Sequence, residues 1–432
     1  MKKILDPKRE TWAEILKRPT QSYSDIEPLV AEIFDEIADG GDTAVKKYIE
    51  KFDKANLSTL QVEKSAIEKA KGSISEELKN AIQLAKSNIE AFHISQKVEP
   101  VKIESTQGVV CWQEKRAIEK VGLYIPGGTA PLFSTILMLA VPAAIAGCDE
   151  VVMCTPSDES GNIHPAVLYT ADLCGVKKIF KVGGIQAIAA MTFGTESIPQ
   201  VYKIFGPGNQ YVTVAKQMAM KFDVGIDLPA GPSELLVYAD ESATASFMAA
   251  DLLSQAEHGT DSQVILVCRS LKKLEEIELE ISLQLENLPR KNIAAQAIEN
   301  SKLIFCSSEE MAIDLINSYA PEHLIISISD AGKILGKIKN AGSVFVGDYT
   351  PESAGDYASG TNHTLPTNGF AKNYSGVNLD AFQKAVSFQE ISKEGLSRIG
   401  RAIELMADAE GLFAHQNAVS LRLAEINKDP KN

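Results

Sequence analysis

From Val121 to Val346 short, continuously apolar runs alternate with longer helical ones, and that alternation leaves few architectures open. Val121–Ile125 reads as a strand ending at Pro126-Gly127-Gly128, followed by a small-residue helix through Ala146. Strands near Glu150–Cys154, Lys178–Val182 and Val201–Phe205 follow, with helices near Pro165–Cys174, Gln186–Phe193 and Tyr211–Lys221 between and after them. A second series begins after Gly231-Pro232-Ser233. Its expected strands are Leu235–Tyr238, Gln263–Cys268, Lys302–Cys306, Leu324–Ser327 and Ser343–Val346, and its helices Ala243–Glu257, Leu271–Leu288 and Glu310–Tyr319. Continuous apolar runs suit parallel strands covered on both faces. Alternated with helices, they predict an α/β chain of two doubly wound units.

The flanks read differently. The first hundred residues predict helices, with Ile74, Leu78, Ile82, Ile89 and Phe92 on one helical face. After the Gly- and Asn-rich segment 359–378, helices are expected at Glu394–Ala407 and Ala414–Asn427. A length of 432 residues allows two or three domains, at roughly 150 residues each. The net charge of −14 argues against nonspecific binding to nucleic acid or acidic membranes. The start Met1-Lys2-Lys3 develops no signal-peptide core, and the apolar run Ile136–Gly147 is too short for a membrane span and contains Pro142. Six cysteines without CxxC spacing read as buried free thiols, so a soluble, cytoplasmic protein is expected.

The chemistry-bearing residues lie at the ends of these segments. Only six histidines occur, and His258, His323, His363 and His415 stand near Glu257, Glu322, Asp356 and Glu410. Gln255 and His258, three residues apart, share one face at a helix end. They are either two metal ligands or a polar terminus whose imidazole complements the helix dipole. Asp356 and His363 are placed in a loop, Glu410 and His415 where a helix restarts after Gly411. Glu322-His323 precedes an apolar strand, where a carboxylate can activate water and an imidazole can move protons; an exposed turn is the alternative. Ligands in open α/β sheets gather beyond the carboxyl ends of strands, and the Glu-His pair is expected at such an edge. Val182-Gly183-Gly184-Ile185-Gln186 and Gly206-Pro207-Gly208-Asn209 follow strands and open helices. Taken alone, each is a tight βα turn before it is a phosphate site; neither is a full fingerprint, and Tyr211 stands where a third glycine would follow Gly206 and Gly208.

Together with Tyr124-Ile125-Pro126-Gly127-Gly128-Thr129-Ala130-Pro131, Ala230-Gly231-Pro232-Ser233-Glu234 and Gly355-Asp356-Tyr357-Ala358-Ser359-Gly360-Thr361-Asn362-His363, these motifs make the chain closely resemble the histidinol dehydrogenase family over nearly its whole length. The resemblance implies a zinc-dependent, NAD-linked oxidation of L-histidinol to L-histidine through the aldehyde, the last step of histidine biosynthesis. It implies one zinc per site held by Gln255, His258, Asp356 and His415, with Glu322 activating water and His323 carrying protons. Ser233, His363 and Glu410 would contact substrate beside Gln255, His258, His323, Asp356 and His415, and Tyr124, Gln186 and Asn209 would contact NAD. It further implies two incomplete Rossmann-like domains in an intertwined homodimer, His415 completing the partner subunit's site. The expected divisions are a helical extension at 1–20, a metal and catalytic domain from 21–120 and 232–368, an NAD domain at 121–231 and a helical tail at 369–432.

Three rivals are weighed. A related zinc/NAD dehydrogenase of another small alcohol, such as a sulfonated diol, should lack His363 and Glu410. A zinc hydrolase does not explain the glycine-rich turns with Asn209. A binding module does not explain the clustered acid/base residues. A cysteine nucleophile at Cys111 or Cys154 is rejected, since neither sits where its pKa would clearly fall.

Overall fold

The computed structural model describes residues 1–19, 25–127, 130–229 and 231–428. Gly128 and Thr129 of the first glycine-rich turn, and Ala230, lie outside the described residues. Two compact units result: Met1–Gln96 with Ile118–Phe382, and a smaller one from Lys97–Ala117 and the chain from Gln383 onward.

The larger unit carries two all-parallel sheets, which bears out the α/β reading. One has six strands in the order Lys2–Leu5, Lys302–Phe305, Gln263–Cys268, Glu234–Ala239, His323–Ser327 and Ser343–Val346. Glu234–Ala239, Gln263–Cys268 and His323–Ser327 are buried at every position, which is why their sequences run apolar without alternating. The other has five, in the order Lys178–Lys181, Glu150–Thr155, Lys120–Tyr124, Lys203–Phe205 and Gly225–Ile226.

Several expectations are corrected. The first twenty residues are not only helical: Lys2–Leu5 pairs in parallel with Lys302–Phe305 and forms an edge strand. Helix Glu27–Asp53, interrupted at Gly41, puts Val30, Ile33, Phe34 and Ile37 into one core with Ile185, Ile188 and Val212. It therefore packs with the five-stranded half, not with 232–368.

The smaller unit contains an antiparallel sheet of Gln383–Ile391, Val109–Ala117 and Ile103–Thr106, so the region after 369 is not wholly helical. These strands are rich in Gln, Glu, Lys and Arg, and few of their positions are buried. What binds them is pairing, Gln383 opposite Ala117 through Ile391 opposite Val109, with Trp112 and Phe388 stacked across the strands at 5.3 Å. Helices Lys393–Ala409 and Phe413–Lys428 follow, close to their expected bounds.

Candidate active site

Helix Glu309–Tyr319 ends at Ala320, which is buried in the left-handed region at φ 54°. A side chain there costs about 1–2 kcal/mol, and the turn it makes delivers Pro321, Glu322 and His323 to the start of strand His323–Ser327. The pair thus sits at the amino end of its strand, opposite to the expected carboxyl edge. Its main chain is fixed by the neighbouring strand: Gly342 N–H donates to Pro321 O at 2.9 Å and Ser343 N–H to Glu322 O at 2.9 Å.

Three carboxylates surround the buried His323 imidazole. Its Nδ1 lies 3.3 Å from Glu352 Oε1, 3.6 Å from Glu322 Oε2 and 3.3 Å from Glu234 O, and its Nε2 lies 3.6 Å from Asp356 Oδ1. Burial pushes the Glu322 carboxyl up to about 8, against the pull of His323 and of the Glu234 N–H that donates to it at 2.8 Å. Burial alone would lower His323, but Glu322, Glu352 and Asp356 outweigh it and raise its pKa to about 10. Burial likewise holds Glu352 well above the usual carboxylate range. His323, His363 and His258 keep Asp356 below that range despite burial. Protons in this cluster belong to the group rather than to one residue.

Asp356 lies on the short helix Glu352–Tyr357, not in the loop expected from its glycines. The helix sets Glu352 and Asp356 one turn apart, on the same side. His363 Nδ1 is 2.9 Å from Asp356 O, and its Nε2 is 3.1 Å from Thr135 Oγ1. Burial lowers the His363 pKa against the opposing field of Asp356. Gln255 is in the last turn of helix Ala245–Ala256, with His258 just beyond it. Desolvation by surrounding groups lowers the His258 pKa although the residue is exposed in the single chain.

Both amide atoms of Gln255 are buried without a hydrogen-bond partner, as are Nε2 of His323 and Oε1 of Glu352. Leaving such groups unmet costs about 1–3 kcal/mol each. Among the described residues no three His, Cys, Asp or Glu side chains are grouped as a metal site. The larger unit supplies Gln255, His258 and Asp356. Glu410 and His415 belong to the smaller unit, where both are exposed.

Tyr124, Gln186 and Asn209 line one cleft of about 990 Å³ at the carboxyl ends of the five-stranded sheet. Tyr124 OH accepts from Gly184 N–H at 3.1 Å, and Asn209 Oδ1 accepts from Val212 N–H at 3.1 Å, capping the helix it begins. Gln186 Nε2 is 3.5 Å from Asp53 Oδ2, and burial raises the Asp53 carboxyl to about 6. The turn before Asn209 needs glycine: at Gly206 φ is +132° and a Cβ would stand 2.1 Å from Tyr124 O. Beneath it, buried Lys216 donates to Gly206 O at 2.8 Å and ion-pairs with Asp227, which accepts from Gly206 N–H at 2.8 Å. Pro131 and Leu132 of the cleft lead into helix Phe133–Ala146, whose Thr135 meets His363. One helix therefore touches both the cleft and the acid/base centre.

Glu352, Glu234, Thr135 and Asp53 were not singled out in the sequence. For Glu352 the available signal was its four-residue spacing from Asp356. Glu234 closes the Ala230–Glu234 motif without its carboxylate being given a role, and Thr135 and Asp53 come from distant segments with no local signal.

Two parallel sheets, one ending in a large cleft and the other beginning at a buried imidazole among carboxylates, place the chain among the α/β enzymes. Its relatives narrow this to one family. The family model for histidinol dehydrogenase matches residues 16–423. The histidinol dehydrogenase of Bacteroides thetaiotaomicron is 59% identical, covering 98% of this chain and 99% of that protein. That of Escherichia coli K12 is 50% identical, covering 97% and 96%. The crystal structure of histidinol dehydrogenase from Elizabethkingia anophelis superposes with a TM-score of 0.97 at 55% identity, covering 99% of each chain. The chain belongs to the histidinol dehydrogenase family and is an oxidoreductase.

Proposed function

We propose that the protein oxidises L-histidinol to L-histidine through the aldehyde, in two successive NAD-linked steps at one zinc-dependent site. The observation that carries this is the Gln255 amide, buried with both polar atoms unpartnered at the helix end that also carries His258, whose imidazole lies in the field of Asp356. An imidazole, a carboxylate and an amide oxygen form a donor set suited to a borderline cation. When bound, zinc supplies a fixed anchor for the substrate's nitrogens and NAD the hydride acceptor.

The remaining work falls to the chain's own groups. His323, set among Glu322, Glu352 and Asp356, is placed to relay the alcohol proton through a cluster that shares its protons. Its Nδ1 faces Glu352 and the Glu234 carbonyl, which orient the ring. Glu322 is placed to activate water for the aldehyde stage, and burial keeps its affinity for a proton high enough for that task. Ser233 and His363 would clamp the substrate, and Tyr124, Gln186 and Asn209 the nucleotide. In this scheme 232–368 carries the metal and catalytic work and 121–231 the nucleotide.

The protein acts as a homodimer in the same reading. Helix Phe413–Lys428 buries none of its residues, and Leu405, Met406, Phe413 and Leu421 are more than half exposed in the smaller unit. Such apolar surface suits a second copy, and His415 and Glu410 would then complete the partner's site. The six free cysteines agree with a reducing cytoplasm.

Metal analysis tests the ligand set apart from turnover. One zinc per site is expected, falling by about 10-fold or more in affinity in Gln255→Ala or His258→Ala. Unchanged zinc content in both variants after dialysis against a chelator would remove these ligands from the scheme. A sulfonated diol turned over in place of histidinol would move the substrate to the rival alcohol class.

A further inference from the structure

Arg18 lies far from the catalytic pair in sequence and stands outside the roles assigned above. It ends an N-terminal strap that the six-stranded sheet holds firmly. Lys2–Leu5 is paired into the sheet edge, and Trp12 and Leu16 are buried with Leu236, Tyr238, Ile265 and Tyr319. Gln263 Nε2 donates to Lys17 O at 3.0 Å, fixing the chain just before Arg18.

The guanidinium grips Glu234 with both arms. Nε donates to Oε1 at 2.5 Å and Nη2 to Oε2 at 2.8 Å, while Nη2 also reaches Tyr319 O at 2.8 Å. The Arg18 carbon Cζ stands 4.0 Å from the Tyr319 ring centroid. The Asn368 N–H donates to Glu234 Oε1 at 2.6 Å. Both partners of the ion pair are largely buried, with side-chain exposures of 14% and 3%.

What Glu234 does with its main chain gives this grip a consequence. Its N–H holds Glu322 Oε2 at 2.8 Å, and its carbonyl lies 3.3 Å from His323 Nδ1. The residue before it is Ser233, and Gly231 N–H is tied to Thr367 Oγ1. One residue thus touches both members of the acid/base pair, and its side chain is fixed from outside the centre by Arg18.

We propose that Arg18 is a positioning residue: by clamping the Glu234 carboxylate it sets the Glu234 main chain, and through it the Glu322 carboxylate and the His323 ring. This rests on the catalytic reading of Glu322 and His323 given above. A lysine can keep the charge but not the two-armed grip or the ring stacking, so arginine is the residue the geometry requires.

The test compares Arg18→Met, Arg18→Lys, Glu322→Gln and the double variant Arg18→Met/Glu322→Gln in the full-length enzyme. Displacement of reacting groups by an ångström costs up to about 100-fold, so Arg18→Met should lower kcat by about 10- to 100-fold. Zinc content and the Kd for NAD, read by metal analysis and titration, should stay at wild-type values. Arg18→Lys should recover part of kcat. In the Glu322→Gln background, losing Arg18 should cost much less than in wild type, as expected for residues that act through one another. Wild-type kcat in folded Arg18→Met, or fully additive losses in the double variant, overturns the clamp. Where Arg18→Met does not fold, Arg18→Lys decides, and wild-type kcat there also overturns it. Undiminished turnover in Glu322→Gln itself would instead remove the catalytic reading on which the clamp depends.

Discussion

At the scale of single residues, two glutamates face one imidazole and their surroundings divide their work. Glu322 accepts the Glu234 N–H and has an oxygen available for water, whereas Glu352 keeps an unpartnered oxygen 3.3 Å from His323 Nδ1. Glu322→Gln should therefore slow the aldehyde stage more than the alcohol stage, by about 10²- to 10⁴-fold. Trapped aldehyde would accumulate; equal slowing of both stages, read in single-turnover kinetics, would contradict the assignment. Cys154 is wholly buried and its thiol is pushed far up, so it cannot serve as a nucleophile. Both Cys154→Ser and Cys111→Ser should retain most turnover, and loss in either with zinc and NAD still bound would reopen the thiohemiacetal route. Asp53, raised to about 6 by burial, binds its proton more tightly when folded than when unfolded. Its contribution to stability is therefore full at low pH and is lost as pH rises through 6. Asp53→Asn should flatten denaturation midpoints between about pH 4 and 6, and an unchanged slope there would show that Asp53 titrates normally.

At the scale of elements, the turns decide what the strands can present. Gly206 lets the chain pass against Tyr124 O and begin the Asn209-capped helix. Gly206→Ala should weaken NAD binding by at least about 10-fold, about 1.4 kcal/mol, with less effect on zinc content. Equal loss of both would mean general unfolding. The parallel sheets were legible because strands such as Leu235–Tyr238 are apolar on both faces, and every residue of Glu234–Ala239 is buried. The strand Gln383–Ile391 was not legible, since its stability comes from pairing with a distant segment and its own pattern is polar. Site residues divide in the same way. Gln255, His258, Glu322, His323, Asp356 and His363 carry distinctive side chains in recognisable local settings. Glu234 stands in the Ala230–Glu234 motif but meets the pair through its main chain, a role its side chain does not announce, and Arg18, which holds Glu234, leaves no local mark.

At the scale of the whole molecule, the residues of the proposed centre come from two compact units. The larger unit supplies Gln255, His258, Asp356, Glu322 and His323, while His415 and Glu410 belong to the smaller unit with its exposed apolar helices. Mixed dimers of His415→Asn and Glu322→Gln should regain part of the activity that each homodimer lacks, because one of the two shared sites is then intact. Absence of recovery in verified heterodimers would place each site within one chain. The central claim is two oxidations at one centre, and it is tested most directly by counting NADH formed from limiting L-histidinol. The account predicts two NADH per histidinol, with formation lost on chelation and restored by zinc. One NADH with released aldehyde, or none from histidinol alongside turnover of another alcohol, would contradict it.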